Sequence, residues 1–150
     1  MRKIILAAFA FAFFSVLNAS GVSACTCFLS PKAESLDSVV KKAYKNSSAV
    51  FVGEVVEIVQ KPDVFFVEVK FAVEQKWNDG IEKTVTITTG KGGGDCGYQF
   101  EVGKKYLVYA SNGKNTLRTN ICTKTALAEN NNDIAVLNKI KRRKIKSSPK

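Results

Sequence analysis

Residues 49–59 read AVFVGEVVEIV, and the predicted fold depends on this segment. It is rich in Val, Phe and Ile, which favour β-strands. Gly53 interrupts the run. A glycine inside a strand indicates a bulge or a sharp bend, which small barrels use to turn a corner. We therefore predict a first strand that bends at Gly53.

Four further strands are predicted downstream. Residues 64–73 alternate apolar with more polar side chains, so one face of that strand is expected to be buried. Residues 83–89, 104–111 and 116–121 supply the other three, with Asn112-Gly113 as the turn between the last two. Five short strands with one bend indicate a mainly β fold, a closed or partly closed OB-like barrel. Periodicity alone does not separate such a barrel from a sandwich.

One helix is predicted on each side of the strands. Residues 32–46 have helical spacing, with Ser30 as the N-cap and Pro31 in the first turn. Their apolar stripe consists of Leu36, Val39, Val40, Ala43 and Tyr44. Residues 133–140 are expected to form a second, short helix that docks on the barrel.

Residues 1–24 have the three parts of a secretory signal peptide. Two basic residues are followed by an apolar run at 4–17 and by small residues, Val22-Ser23-Ala24, before Cys25. A transmembrane anchor is an alternative, but the run is shorter than the roughly 20 residues that a spanning helix needs. Val-Ser-Ala-Cys also fits a lipoprotein processing site, in which Cys25 is lipidated. We predict a secreted protein, with a lipid anchor at the cell surface as the alternative.

The four cysteines, at 25, 27, 96 and 122, all follow this segment. In the oxidising compartment that export implies, an even number of cysteines indicates disulfides more often than a metal site. Cys-x-Cys is not the usual ligand spacing of zinc, so a Cys-only zinc site is the less favoured alternative. The chain has no histidine, the usual general base and nucleophile partner. We expect neither enzyme activity nor a cofactor.

The chain is strongly basic, with a net charge of +10. Two of the 23 basic residues and none of the 13 acidic ones lie in residues 1–24, which leaves +8 for the remainder. Residues 139–150 hold seven basic residues and no acidic one. Such a tail is either a solvated surface or a contact for a polyanion. Nucleic acid is not an expected partner, because export is predicted and aromatic residues rarely alternate with basic ones.

Residues 90–97 read GKGGGDCG and form a glycine-rich loop. A phosphate-binding loop needs a Gly-Lys-Ser/Thr ending and a following helix. This segment lacks that ending, and no helix is predicted after it. A mobile connector, tethered through Cys96, is the favoured interpretation.

The chain carries, in order, a set of motifs that occur together in one family: Cys25-Thr26-Cys27, residues 49–55, Cys96-Gly97, Phe100, Gly103, residues 106–110, Cys122, Thr125 and Leu127. In this arrangement the chain resembles the netrin-like module, and within it the inhibitory domain of the tissue inhibitors of metalloproteinases. The likeness covers about residues 25–128. The terminal Cys-x-Cys with two distal cysteines is its most specific part, since the strand motifs are generic.

The resemblance implies an OB-like barrel with disulfides Cys25–Cys96 and Cys27–Cys122, although four cysteines alone allow three pairings. It implies a netrin-like domain at 25–128, between the signal peptide predicted at 1–24 and a short helix with a basic tail at 129–150. It also implies an inhibitor of a zinc metalloprotease. In that family, the amine and carbonyl of the first cysteine chelate the target's zinc, and the next side chain enters the specificity pocket.

Carried over residue by residue, the resemblance makes Cys25 the zinc-binding residue through its main-chain amine and carbonyl, and Thr26 the pocket residue. The inhibitory ridge is completed by Cys27, Phe28, Gly94, Asp95 and Cys96. The family's third disulfide in this domain is missing, which leaves two alternatives open. Cys25 and Cys27 either present the chelating terminus or only staple it to the barrel, in which case the protein is a non-inhibitory binding module.

Overall fold

The computed structural model describes Cys25, Cys27 and residues 34–92, 94–114 and 116–147, except for the side chains of residues 146 and 147. The predicted leader at 1–24 lies outside the described residues. The described elements are α1 (Leu36–Lys45), β1 (Ala49–Gln60), β2 (Phe66–Lys76), β3 (Thr84–Gly90), β4 (Lys105–Asn112), β5 (Leu117–Arg118), β6 (Ala126–Leu127) and α2 (Asp133–Ser147). No helix in these segments is long and apolar enough to cross a membrane.

Five strands close into a barrel in the order β1-β2-β3-β5-β4, and β4 pairs back onto β1. Every pairing around the barrel is antiparallel except that of β3 with β5. The short β6 adds to β4, where Leu127 pairs with Tyr106. This is a five-stranded barrel of the OB type rather than a sandwich. The predicted mainly β fold, with two flanking helices and two disulfides, is confirmed.

Gly53 allows β1 and β2 to approach closely at a bend. The β1–β2 register shifts between Val52 and Gly53, and again between Val55 and Glu57. A Cβ at Gly53 would lie 2.9 Å from the carbonyl oxygen of Ala72, closer than a side chain tolerates. The predicted bulge at this glycine is confirmed, and it lets one long strand serve two neighbours, β2 and β4.

The two faces of β1 and β4 bury different cores. Inside the barrel, Phe51 packs with Val108. On the outer face, Val50 and Leu107 pack beneath α1 and α2 in a second cluster of buried side chains, which includes Leu137. Because both faces are covered here, β1 begins with five consecutive buried residues instead of alternating.

Aromatic rings tie the segment after Cys96 to the barrel interior. The ring of Phe100 lies 5.3 Å from that of Phe71 and 4.9 Å from that of Tyr106, both edge to face. Tyr98 contacts Phe100 at 4.7 Å between centroids. These contacts anchor the chain two residues beyond Cys96, so the core positions one of the disulfide-bearing loops.

The start of α1 differs from the prediction. The helix begins at Leu36, and Ser35 is its N-cap, with Ser38 N–H donating to Ser35 Oγ at 3.3 Å. The predicted cap at Ser30 is therefore wrong. Both serines precede the apolar stripe, but the stripe itself starts only at Leu36, so the later serine is adjacent to the first helical turn.

Replacing Ser35 by alanine is expected to lower the free energy of unfolding by about 1 kcal/mol, because the Ser38 N–H loses its partner. Urea-induced unfolding followed by circular dichroism measures this change. Ser30→Ala is the matched control and is expected to have no effect. A loss of stability in the Ser30 variant alone would restore the original cap prediction.

The β4–β5 hairpin also differs from the prediction. Asn112 remains in β4 and pairs with Leu117, and Gly113 N–H donates to Thr116 O at 2.8 Å. β4 therefore includes Asn112, and the predicted Asn112-Gly113 turn is wrong because only Gly113 lies beyond the strand. β5 has two residues instead of the predicted six, and just beyond it the Thr119 hydroxyl donates to Tyr109 O at 2.9 Å.

Other element boundaries are displaced, and one short strand was not predicted. β2 covers 66–76 rather than 64–73, and β6 was not predicted, because two residues are too few to show periodicity. The second helix extends to Ser147, beyond the predicted end at 140. Its added residues are mainly Lys and Arg, which are good helix formers and need no apolar neighbour.

Candidate functional site at the two disulfides

Both disulfides lie where the chain before α1 meets two loops of the barrel. Cys25 is bonded to Cys96 with 5.5 Å between their Cα atoms, and Cys27 to Cys122 with 5.1 Å. The pairing implied by the resemblance is confirmed, and the other two are excluded. Thr26 and Phe28, predicted for the pocket and the cleft, lie outside the described residues.

The two loops that receive these disulfides are joined to each other. Ile121 N–H donates to the carbonyl oxygen of Cys96 at 3.0 Å. Cys96 and Cys122 are therefore held side by side, and the segment from Cys25 to Cys27 closes a ring of two disulfides and one main-chain hydrogen bond. Such a ring restricts the backbone at Cys25 and at Cys27.

Gly94 lies directly against the first disulfide. The Sγ atom of Cys25 is 3.3 Å from Gly94 O, a packing contact because a disulfide sulfur carries no proton. Gly94 and Asp95 are exposed, and Cys25 and Cys27 are half-buried. The structure thus brings together Cys25, Cys27, Gly94, Asp95 and Cys96 of the predicted ridge.

Asp95 organises the loop that was predicted to be a mobile connector. Its carboxylate accepts hydrogen bonds from three main-chain N–H groups, those of Lys91 at 2.6 Å, Gly92 at 2.8 Å and Gly97 at 3.0 Å. The Gly97 N–H contributes most to holding the pKa of the Asp95 carboxyl below its usual range. Among the described residues of this segment, the loop is thus fixed by a side chain.

The backbone around Cys96 is tightly folded. Cys96 has a φ of +60°, in the left-handed region that non-glycine residues seldom adopt. A Cβ at Gly97 would lie 2.2 Å from Gly90 O, so only glycine fits there. The disulfide, the Asp95 hydrogen bonds and this close contact together maintain the unusual conformation.

The Asp95 hydrogen bonds predict a titration in the acid range. Because the folded pKa lies below the ordinary value of 3.8, the loop is fully ordered above that value and loses its order as pH falls through the lower folded pKa. In ¹⁵N NMR spectra, the amide signals of Lys91, Gly92 and Gly97 are expected to shift together with a midpoint below 3.8.

Asp95→Asn is expected to abolish this shared titration, whereas Asp63→Asn, in the β1–β2 turn, is expected to leave it unchanged. Three signals that move with different midpoints, or a common midpoint above the ordinary aspartate value, would contradict the role given to Asp95.

A cluster of threonine hydroxyls supports the loop that carries Cys122. Thr119 Oγ1 lies 2.8 Å from Thr125 Oγ1 and 2.9 Å from Thr123 Oγ1. Tyr109 N–H of β4 donates to Thr125 Oγ1 at 3.0 Å. Sequence reasoning missed this cluster, although the repeated threonines around Cys122 were a signal for it. Through these bonds the loop is fixed to β4.

Asp133, the first residue of α2, is attached to the same region. The residue is buried, with 5% of it exposed. The carboxylate accepts a hydrogen bond from Tyr109 Oη at 3.1 Å and forms an ion pair with Lys124 Nζ at 3.3 Å. Burial, together with the charge of Asp133, raises the pKa of Tyr109, so this hydroxyl remains a donor. The Cys122 loop is thereby connected to both β4 and α2.

Phe65 is an exposed residue beside the site that sequence reasoning did not select. Its side chain is 93% exposed, at the tip of the β1–β2 hairpin. It lines a groove of about 520 Å³ together with Gly90, Asp95, Arg118 and Thr119. Two consecutive phenylalanines next to a predicted turn were the available signal. An exposed aromatic side chain beside the disulfide loops is typical of a contact surface.

All four cysteines are engaged in disulfides. Across the described part of the chain, no three Cys, Asp or Glu side chains come close enough to hold a metal ion. The disulfides are compatible with an extracellular protein. What the described site presents is Cys25 and Cys27, each joined by a disulfide to a loop of the barrel.

The fold and the site together define a class: small, closed five-stranded OB-type barrels with two flanking helices, whose leading segment is joined to two barrel loops by disulfides. In comparisons with known families and with curated proteins, no family model and no curated sequence matched the chain.

Proposed function

We propose that this chain is a secreted inhibitor of zinc metalloproteases that acts through Cys25 as its first residue. The observation that carries the proposal is the double attachment of residues 25–27, at Cys96 and at Cys122, to two loops that are hydrogen-bonded to each other. A residue between two such anchors has little freedom to lose when it enters a cleft, so docking is less costly.

The chemistry of a free Cys25 suits a metal that belongs to the partner. A catalytic zinc keeps one coordination position for water. The α-amine and carbonyl oxygen of one residue form a five-membered chelate ring with a metal and displace that water. A terminal amine has a reference pKa of about 7.7–8.0, so part of it is unprotonated and able to bind zinc near neutral pH.

The surroundings provide the rest of a contact surface. The carbonyl oxygen of Gly94 contacts the Cys25 sulfur. Asp95 accepts a hydrogen bond from the Lys91 N–H and so stabilises the loop that contains Gly94. Phe65, which is almost fully exposed, lines the same groove as Asp95. We assign the chelation to Cys25 and the pocket contact to Thr26. The flanking contacts fall to Cys27, Phe28, Gly94, Asp95 and Cys96, with Phe65 added as an aromatic contact.

The state of the first residue is tested on the exported protein. Intact-mass and N-terminal analysis are expected to show a chain that begins at Cys25, with a free amine and two disulfides. A mass increased by acyl chains on Cys25 would contradict the proposal, because a lipidated cysteine has no thiol left for Cys96. A non-inhibitory module, in which the disulfides only attach the first residues to the barrel, has the same mass and is distinguished by measuring inhibition.

Inhibition itself is tested by titrating zinc metalloproteases with the protein that begins at Cys25. We expect activity to fall linearly to a one-to-one end point for at least one such protease, with serine proteases unaffected. Full activity of every metalloprotease in a panel that spans shallow and deep specificity pockets would contradict the proposal. The protein would then be a non-inhibitory binding module.

A further inference from the structure

The helical layer carries a basic groove that the proposed inhibition does not use. α1 and α2 enclose about 600 Å³ of space, with Lys41, Lys45, Arg143 and Lys144 around it and with Tyr44 and Ile140 also lining it. The two helices lie over the outer faces of β1 and β4. Within the described residues, no side chain that lines this groove also lines the Phe65 groove beside the disulfides.

The carboxylates near this groove are already influenced by its cations. Asp37 forms an ion pair with Lys41 at 2.5 Å between Nζ and Oδ2. Lys41, and to a smaller extent Lys139 and Arg143, hold the pKa of the Asp37 carboxyl below its usual range. The field of the cations thus extends across both helices. Asp79 also lies near enough to help raise the pKa of Lys144, but two aspartates do not offset four basic side chains.

We propose that this groove binds the phosphate groups of a linear polyanion. Arg143 offers a planar guanidinium suited to phosphate oxygens, and Lys41 and Lys45 add compact charges on the facing helix. The proposal is independent of the inhibitory site. It gives the basic C-terminal segment a defined binding surface on α1 and α2.

The distribution of charge favours a chain of phosphates over a single one. The basic residues of α2 from Lys139 to Lys144 are all exposed. They extend the positive surface beyond the groove, along about 7.5 Å of helix at 1.5 Å per residue. A single phosphate reaches only part of this surface, whereas a polymer contacts its whole length and releases more counterions.

Two other anionic partners fit less well. Single-stranded nucleic acid needs an aromatic face for base stacking, but Tyr44 is 7% exposed and Lys144 Nζ lies 5.0 Å from its ring centroid. A bilayer surface needs an apolar helix face, but Val136 and Leu137 of α2 are buried against the barrel. The large apolar side chain that α2 exposes, within its described part, is Ile145.

The test measures binding of the full exported protein to long-chain polyphosphate, with orthophosphate at equal total phosphate. We expect the polymer to bind at concentrations where orthophosphate does not. Lys45→Gln with Arg143→Gln is expected to weaken binding roughly 30-fold, since each cation near an anionic surface contributes about a factor of five. The slope of log affinity against log salt is expected to fall by about 1.4, or about 0.7 for each lost contact.

The matched control, Lys83→Gln with Lys114→Gln, removes the same charge from loops of the barrel. It is expected to weaken binding less than about threefold. Equal losses in both variants would overturn the groove assignment in favour of net charge alone. Equal affinity for orthophosphate and for polyphosphate would contradict the preference for a polymer. The protein could instead bind anionic vesicles but not polyphosphate, and lose that binding in Ile145→Ser. This result would show that the ligand is a bilayer surface and would overturn the proposal.

Discussion

A single alanine added before Cys25 is expected to abolish inhibition, with potency reduced by more than about 100-fold. The extension converts the Cys25 amine into an amide, whose nitrogen does not bind zinc. It also places an additional residue where the displaced water was bound. The measurement is the inhibition constant against a metalloprotease that the parent protein inhibits.

The extension is not expected to affect the barrel. Residue 24 precedes both disulfides, and the cores depend on residues such as Phe71 and Leu137, which are fully buried elsewhere. Thermal unfolding should therefore be the same for the extended protein, the parent, and a control with one alanine added after Lys150. Unchanged inhibition by the correctly folded, extended protein would contradict chelation by the amine.

Removing one anchor is expected to have the second large effect. The Cys27–Cys122 disulfide joins residues 95 positions apart in the sequence. Cys27→Ser with Cys122→Ser is expected to lower the free energy of unfolding by about 2–4 kcal/mol, because the unfolded chain gains freedom. It should also weaken inhibition by at least about tenfold, since Thr26 is then held on one side only and loses more freedom on docking.

The paired outcome distinguishes a presented terminus from a staple. Denaturant unfolding gives the stability, and inhibition is measured at a temperature where both proteins are folded. Cys25→Ser with Cys96→Ser is the matched variant, because it removes the other anchor and keeps a free amine. Loss of stability without loss of inhibition in both variants would show that the disulfides act only as staples.

Much of the barrel follows from local sequence signals. Gly53 interrupts a strand, and its backbone passes too near Ala72 for any side chain, so the bend that the sequence predicted has a single physical cause. Of the apolar stripe predicted for α1 from its spacing, Val40 and Tyr44 are buried, whereas Leu36 is 45% exposed. The N-cap of α1 could not be predicted from the sequence. Several serines precede the helix, and only the position of its first turn selects Ser35.

The candidate site depended more on contacts between distant residues. Four cysteines allow three pairings, so the observed one required a resemblance to a family. The bond from Ile121 to Cys96 and the cluster of Thr119, Thr123 and Thr125 join segments that periodicity does not relate. Asp95 lies in a glycine-rich segment that is typical of a mobile loop, and only its three hydrogen bonds show otherwise.

Chelation is tested most directly in a target protease whose zinc has been replaced by cobalt(II), since the visible absorption of cobalt reports its ligands. Addition of the protein that begins at Cys25 is expected to change these bands up to one equivalent, as nitrogen and oxygen replace water. The alanine-extended protein should leave them unchanged. Bands that stay those of the free protease while its activity is lost would contradict zinc binding by Cys25.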